Sequence, residues 1–147
     1  MKTTPYYQLC RWLLTLGLAL FSTASWSQTQ YLVLVDIDNN PATGCNQSLP
    51  NSGSLSGIER RLIATVSESN SPQVTQLSLE SCTNGLFGTP VTVPGAPYPV
   101  GINNGVSGAD VVEQAVVTSA VAPVGAVVRI YFASQRTDGD DLLASTS

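Results

Sequence analysis

After residue 28 the sequence consists of short runs of β-branched and other apolar residues, and Gly, Pro, Asn or Ser separates each run from the next. Runs of this kind, bounded by turn residues, are typical of strands joined by tight turns. Apolar residues of this region rarely recur with the helical period of about 3.6 residues. The pattern therefore predicts an all-β protein. We expect an antiparallel β-sandwich of the jelly-roll kind, with a flattened barrel as the alternative.

The apolar runs predict six strands. They are 31–37, 58–67, 74–81, 89–93, 110–117 and 125–134. Two Asn-Gly pairs, Asn84-Gly85 and Asn104-Gly105, predict tight turns, because both residues of such a turn adopt positive φ. The polar segment 46–57 predicts a long loop.

Residues 1–27 have the layout of a secretory signal peptide. Lys2 and Arg11 give a positive start, and an apolar stretch and small residues follow, ending at Ser27. The apolar stretch is about half the roughly 20 residues that a membrane span needs. We therefore expect cleavage after Ser27 and no membrane span afterwards. Residues 28–147 would form one exported domain that is periplasmic, cell-surface or secreted.

Removal of this segment changes the charge and the chemistry of the chain. The formal charge falls from −4 to −6, because Lys2 and Arg11 are lost and all ten acids stay. An acidic surface without lysine repels phosphate backbones, so no nucleic-acid partner is expected. The absence of histidine excludes Ser-His-Asp and Cys-His catalysis. The chain has the carboxylates that glycoside hydrolysis by a pair of acids requires, but a small tryptophan-free domain is a poor scaffold for this reaction. We expect no enzyme activity.

Two cysteines remain after residue 27, Cys45 and Cys82. In an exported protein an even number of cysteines predicts a disulfide, with two free thiols as the alternative. Closing a loop of this length is expected to stabilise the fold by roughly 3–4 kcal/mol in the chain-entropy model.

Oxygen-bearing side chains occupy alternate positions at the end of the first apolar run. Asp36, Asp38 and Asn40 leave the strand and enter a turn, and Glu59 stands at the start of a later strand. Carboxylate and amide oxygens suit a hard cation such as Ca²⁺, which takes about six to eight oxygen ligands. These four residues are therefore candidate ligands of a calcium ion, the one cofactor expected here.

The same turn also has an interpretation without metal. The helix–loop–helix calcium motif is excluded, because Pro41 and Gln47 stand where it requires Gly and Glu. Asp38 or Asn40 would instead close the turn through its side chain, and Gly44 would adopt positive φ. Both interpretations remain open from the sequence.

The D-x-D-N-N-P-A-T-G stretch at 36–44 resembles a recurring motif of exported bacterial β-sandwich domains. Segments 57–62 and 108–116 are similar to the acidic opening of their next strand and to their glutamate-bearing strand. Such domains resemble the family 9 carbohydrate-binding modules and the related DOMON-like folds. This resemblance implies a sugar-binding face. Because sugar platforms are aromatic and no tryptophan remains, Tyr98 and Tyr131 are the candidate ligand-binding residues, with half-buried sheet aromatics as the alternative.

These observations favour a non-catalytic exported β-sandwich, stabilised by calcium, that acts as a binding or surface-interaction module. The expected partner is a glycan or another surface protein. A carbohydrate-binding module and a structural subunit of a surface assembly are the alternative functions.

Overall fold

The computed structural model describes residues 28–49, 52–136 and 139–146, the last of these by their backbone alone. The predicted signal peptide, residues 1–27, lies outside the described residues. The strands are β1 (Gln28–Asp36), β2 (Cys45–Leu49), β3 (Gly53–Ile58), β4 (Arg60–Ser67), β5 (Gln73–Thr83), β6 (Leu86–Phe87), β7 (Val91–Thr92), β8 (Tyr98–Pro99), β9 (Arg129–Arg136) and β10 (Gly139–Thr146). A 3₁₀ turn covers Val106–Gly108, and a single helical turn, α1, covers Thr118–Val121.

The main sheet is antiparallel and has β1 at its centre. Its strand order is β10-β9-β1-β4-β5, and three short strands, β6, β7 and β8, each pair with the outer edge of β5. In the register, Val33 of β1 faces Leu62 of β4 on one side and Phe132 of β9 on the other. Strands β2 and β3 form a separate two-stranded hairpin.

The β2–β3 hairpin covers one face of the main sheet. The core on this side combines side chains of the sheet with side chains of the hairpin: Leu32, Leu34, Ile63, Ala133, Leu49 and Ile58. A disulfide between Cys45 and Cys82 joins the start of β2 to β5, with 5.7 Å between the two Cα atoms. The predicted disulfide is therefore confirmed.

The opposite face of the sheet carries a second core. Its buried residues are Leu62, Ala64, Val66, Val74, Leu77 and Val100. Val112 and Val116 pack against this cluster from a segment without regular strand structure. Because both faces are covered, the first strand is apolar at consecutive positions, as a strand buried on both sides requires.

Several sequence predictions are confirmed and others are wrong. The predicted strands at 31–37, 74–81 and 125–134 correspond to β1, β5 and β9. The prediction of a loop at 46–57 is wrong, because this segment forms most of the β2–β3 hairpin. The prediction of a strand at 110–117 is also wrong. Val111 makes one bridge to Gly101, and Val112 and Val116 pack onto the sheet without pairing to another described strand.

The two Asn-Gly pairs behave differently. Asn84 and Gly85 have φ of 53° and 78°, which confirms the tight turn between β5 and β6. At the second pair the prediction is wrong, because the positive φ values fall on Asn103 and Ser107 instead. Gly105 is needed there for space, since a Cβ at this position would lie 2.8 Å from the carbonyl oxygen of Ala109.

The structure confirms the antiparallel all-β class and does not confirm the jelly-roll sandwich. Among the described residues, the second sheet has two strands, and the other face of the main sheet is covered by irregular backbone. Within the same residues, no helix is long and apolar enough to cross a membrane.

Candidate metal centre

Backbone pairing brings Glu59 to the end of β1. Glu59 lies between β3 and β4, and its N–H donates a hydrogen bond to the carbonyl oxygen of Val35 at 3.0 Å. Its side chain also lies at the end of β1, because Oε2 accepts a hydrogen bond from the N–H of Ile37 at 2.8 Å. Glu59 is thus held from both its main chain and its carboxylate.

Three carboxylates meet at this point. One oxygen each from Asp36, Asp38 and Glu59 lie within 4.8 Å of one another. The three side chains differ in exposure: Asp36 is 1% exposed, Glu59 is half-buried, and Asp38 is exposed. The cluster therefore opens to solvent on the Asp38 side and is closed on the Asp36 side.

The turn after β1 is closed by its own side chains. Asp38 Oδ1 accepts a hydrogen bond from the N–H of Asn40 at 3.0 Å, and Asn40 Oδ1 accepts one from the N–H of Ala42 at 3.1 Å. Asn39 and Gly44 adopt φ of 54° and 65°. The side chain of Asn40 therefore serves the turn, as in the interpretation without metal, while the three carboxylates form the cluster.

The hydroxyl of Thr43 lies among the carboxylates. Its Oγ1 is 3.0 Å from both carboxylate oxygens of Asp38, 2.9 Å from the carbonyl oxygen of Asn40 and 3.2 Å from Glu59 Oε1. A hydroxyl has one proton and can donate it to one acceptor at a time. The acceptors around Thr43 thus outnumber its proton, and the excess of oxygen atoms favours a positive ion nearby.

Asp36 contains the least satisfied oxygen of the cluster. Its Oδ1 accepts a hydrogen bond from the N–H of Asn40 at 3.2 Å. Its Oδ2 is buried, and within the described part of the chain it has no hydrogen-bond partner. A buried acceptor without a partner costs about 1–3 kcal/mol, and more when the group is charged. This oxygen is the strongest structural indication of a ligand.

Two glycines allow the turn to approach the β3–β4 junction. A Cβ on Gly44 would lie 2.5 Å from Glu59 Oε1, and a Cβ on Gly57 would lie 2.8 Å from the carbonyl oxygen of Asn40. Real Cβ atoms are excluded at these distances. Sequence reasoning assigned Gly44 a role in the turn and missed the steric role of Gly57. The one signal for Gly57 is its place two residues before Glu59.

The spacing of the oxygens fits calcium. Ca²⁺–O distances are about 2.3–2.6 Å, so two ligands on opposite sides of the ion are separated by about 4.6–5.2 Å. Carboxylate oxygens within 4.8 Å of one another can therefore share one calcium ion. Asp36, Asp38 and Glu59 would hold it, and turn carbonyls and water would supply the remaining ligands.

Two arginines lie beside the cluster: Arg60, whose Nη1 donates a hydrogen bond to the carbonyl oxygen of Glu59 at 2.9 Å, and Arg129. Arg129 faces Asp36 in the β1–β9 register. The hydroxyl of Tyr131, which accepts a hydrogen bond from Arg129 Nη1 at 3.4 Å, holds the pKa of Arg129 above its ordinary value, and the charge of Asp36 adds to this effect. Arg129 therefore offsets part of the negative charge of the cluster.

The two candidate sugar-binding tyrosines are not brought together. Tyr131 packs against the core beneath the hairpin, and Tyr98 packs against the core on the opposite face of the sheet. The hydroxyl of Tyr98 donates a hydrogen bond to the carbonyl oxygen of Glu113 at 2.5 Å. A single stacking platform built from both rings is incompatible with this arrangement.

Comparison with known proteins adds no assignment. No protein-family model, no curated protein and no solved structure matches the chain.

Proposed function

We propose that this chain is a non-catalytic exported β-domain, residues 28–147, whose strand-end turn binds calcium and which acts as a binding or surface-interaction module. The observation that carries the calcium part is the buried Oδ2 of Asp36, without a partner among the described residues and beside two further carboxylates. A divalent cation would satisfy this oxygen and relieve the repulsion among three like charges.

The composition supports the other parts of the proposal. A chain without histidine lacks the general base of the common nucleophilic triads. The Cys45–Cys82 disulfide is typical of proteins that fold in an oxidising compartment, which supports export. The layout of residues 1–27 supports the same location.

Calcium titration tests the proposed ion. For the wild-type domain we expect calcium to release or absorb heat in calorimetry and to raise the melting temperature. In Asp36→Asn and Asp38→Asn we expect both the heat and the calcium-induced rise in melting temperature to be largely lost. Asp110→Asn is the matched control, because Asp110 is an acid outside the cluster that accepts a hydrogen bond from the N–H of Asn103 at 3.0 Å. No heat and no melting shift in the wild type would contradict the calcium site.

A structural subunit of a surface assembly is the second candidate, and exposed apolar side chains favour it. Val91, Val117, Val124 and Val127 are 66%, 70%, 98% and 81% exposed. Val91 and Val117 line one shallow groove on the protein surface, and an exposed apolar groove can mark an interaction surface. Sedimentation of the domain at rising concentration tests self-association. A monomer at every concentration would contradict this alternative and leave the calcium site untouched.

A further inference from the structure

The two half-cystines lie on the two sides of the candidate calcium site. Cys45 directly follows Gly44, the residue against which the Glu59 carboxylate packs. The N–H of Cys82 donates a hydrogen bond to the carbonyl oxygen of Glu59 at 2.8 Å. The disulfide therefore joins the turn that carries Asp38 to the backbone that carries Glu59.

The sheet alone positions only part of the cluster. Asp36 ends β1 and Glu59 is bonded to Val35, so the β1–β4 pairing holds these two carboxylates. In the described structure, residues 37–44 make their side-chain and loop hydrogen bonds with one another, with Asp36 or with Glu59. The far end of the turn continues into β2, and the attachments nearest to the turn are the disulfide and the short pairing of Cys45 with Ile58, while Leu49 and Gln47 attach β2 further along.

We propose that the Cys45–Cys82 disulfide sets the calcium affinity of this site, so that calcium binding depends on the oxidation state of the protein. The inference rests on the proposed calcium site. On reduction by a dithiol, two electrons and two protons pass to the protein, the S–S bond breaks, both cysteines become thiols, and the reductant closes to its own disulfide. The turn then loses its covalent cross-link to β5, and Asp38 is held less firmly against Asp36 and Glu59.

Thermodynamic linkage makes the effect reciprocal. If oxidation raises calcium affinity by some factor, calcium favours the disulfide over the dithiol by the same factor. Couplings between sites typically amount to roughly 5- to 150-fold, and we expect roughly tenfold here. A tenfold change corresponds to about 30 mV in the potential of a two-electron couple.

Two measurements test the proposal. First, calorimetric titration with calcium chloride compares the oxidised wild type with Cys45→Ser/Cys82→Ser, and roughly tenfold weaker binding is expected in the double variant. Arg61→Met with Glu80→Leu is the matched control, because it removes the hydrogen bond from Arg61 to Gln47 of the β2–β3 hairpin without leaving a buried charge unpaired and without altering the turn or the cysteines. Its calcium affinity is expected to stay close to that of the wild type.

Second, the wild-type disulfide is equilibrated with dithiothreitol in calcium and in chelator, which requires no variant to fold. Calcium is expected to raise the ratio of reduced to oxidised dithiothreitol at half reduction by the same factor, and Asp36→Asn is expected to show no such shift. An unchanged midpoint, an unchanged affinity in the folded cysteine double variant, or an equal loss of affinity in Arg61→Met with Glu80→Leu would overturn the proposal. Absence of calcium binding to the oxidised wild type would instead overturn the calcium site itself.

Discussion

Gly44 and Gly57 occupy the two points where the turn after β1 meets the β3–β4 junction. A Cβ on either glycine would clash with the facing segment. Both residues also have positive φ, 65° for Gly44 and 81° for Gly57. The conformation and the close approach therefore require glycine for separate reasons. This allows the two effects to be measured separately.

Gly44→Ala is expected to destabilise the domain more than Gly85→Ala. Both positions have positive φ, which costs about 1–2 kcal/mol for a residue with a Cβ. Open space surrounds Gly85, whereas a Cβ on Gly44 meets Glu59 Oε1, so overpacking adds roughly 1–3 kcal/mol there. Urea unfolding of the two variants measures the difference. Equal losses of stability would show that both Glu59 Oε1 and the backbone of Gly57 and Ile58, which a Cβ on Gly44 would meet at 2.8 and 2.7 Å, give way without cost.

Tyr98 is expected to make stability fall at alkaline pH. Burial, and next the charge of Glu113, raise the pKa of Tyr98 above its ordinary value of 10.0. The folded state therefore keeps the phenolic proton after the unfolded chain has lost it. The contribution of Tyr98 to the free energy of unfolding is complete below pH 10, and it disappears as the pH rises through the folded-state pKa of this residue. Unfolding free energies from pH 8 to 11 should fall less in Tyr98→Phe than in Tyr131→Phe, and parallel curves would contradict this.

The β2–β3 hairpin is tied to the sheet by a polar cluster as well as by apolar packing. Arg61 of β4 donates hydrogen bonds to Glu80 of β5 and, at 2.6 Å, to Gln47 of β2. Its guanidinium lies over the ring of Phe87, 4.1 Å from the centroid. Glu80 is 7% exposed and Arg61 is 20% exposed at their side chains, so the ion pair is largely withdrawn from water.

Removal of one partner from this ion pair is expected to cost more than removal of both. Glu80→Ala leaves the charge of Arg61 largely buried and uncompensated, and we expect a loss of about 3 kcal/mol. Arg61→Met with Glu80→Leu removes both charges and is expected to be nearly neutral. Urea unfolding of the single and double variants checks this. A double variant as unstable as the single one would show that the hydrogen bond to Gln47 dominates.

Strands with clear apolar patterns were predictable, and elements that depend on tertiary packing were not. The continuous apolar run of β1 and the alternation in β9 identify those strands directly. Segment 46–57 looks polar, yet Leu49 within it and Ile58 directly after it are fully buried against the sheet, and this packing makes the segment part of a hairpin. Segment 110–117 has the β-branched residues of a strand, but apart from the bridge between Val111 and Gly101 it packs on the sheet through side chains such as Val112 and Val116.

The candidate site divides in the same way. Local chemistry predicts the residues of the turn, because Asp38, Asn40 and Gly44 act within a few residues of one another. The place of Glu59 depends on the β1–β4 register, which the sequence suggests only through the order of its strands. The missing partner of Asp36 Oδ2 is a property of the folded interior, and no sequence pattern reveals it.

At the scale of the whole molecule, negative charge exceeds positive charge by six after residue 27. Three of the acids are gathered at one turn, so part of this excess is concentrated where the disulfide and β1 meet. A bound divalent cation would lower the local repulsion and add its binding free energy to folding.

The stability of the whole domain is expected to follow the logarithm of the free calcium concentration. At about 100 times the dissociation constant, binding adds about 2.7 kcal/mol, and each further tenfold adds about 1.4 kcal/mol. Thermal melts in buffered calcium measure this dependence, with magnesium at the same ionic strength as the control. Equal shifts with both ions would indicate a general effect of divalent charge.

The central place of β1 has a consequence for the order in which the molecule assembles. The first described strand pairs with β4 and with β9, and Val33 meets Phe132 from the far end of the chain. During synthesis from the N-terminus, the edge of β1 that pairs with β9 therefore has no partner strand until residues beyond 129 are available. Completion of the sheet waits until residues beyond 129 have been synthesised, and pairing over such a separation is slow. Until then β1 can pair with β4 alone, and its other edge has no described partner strand.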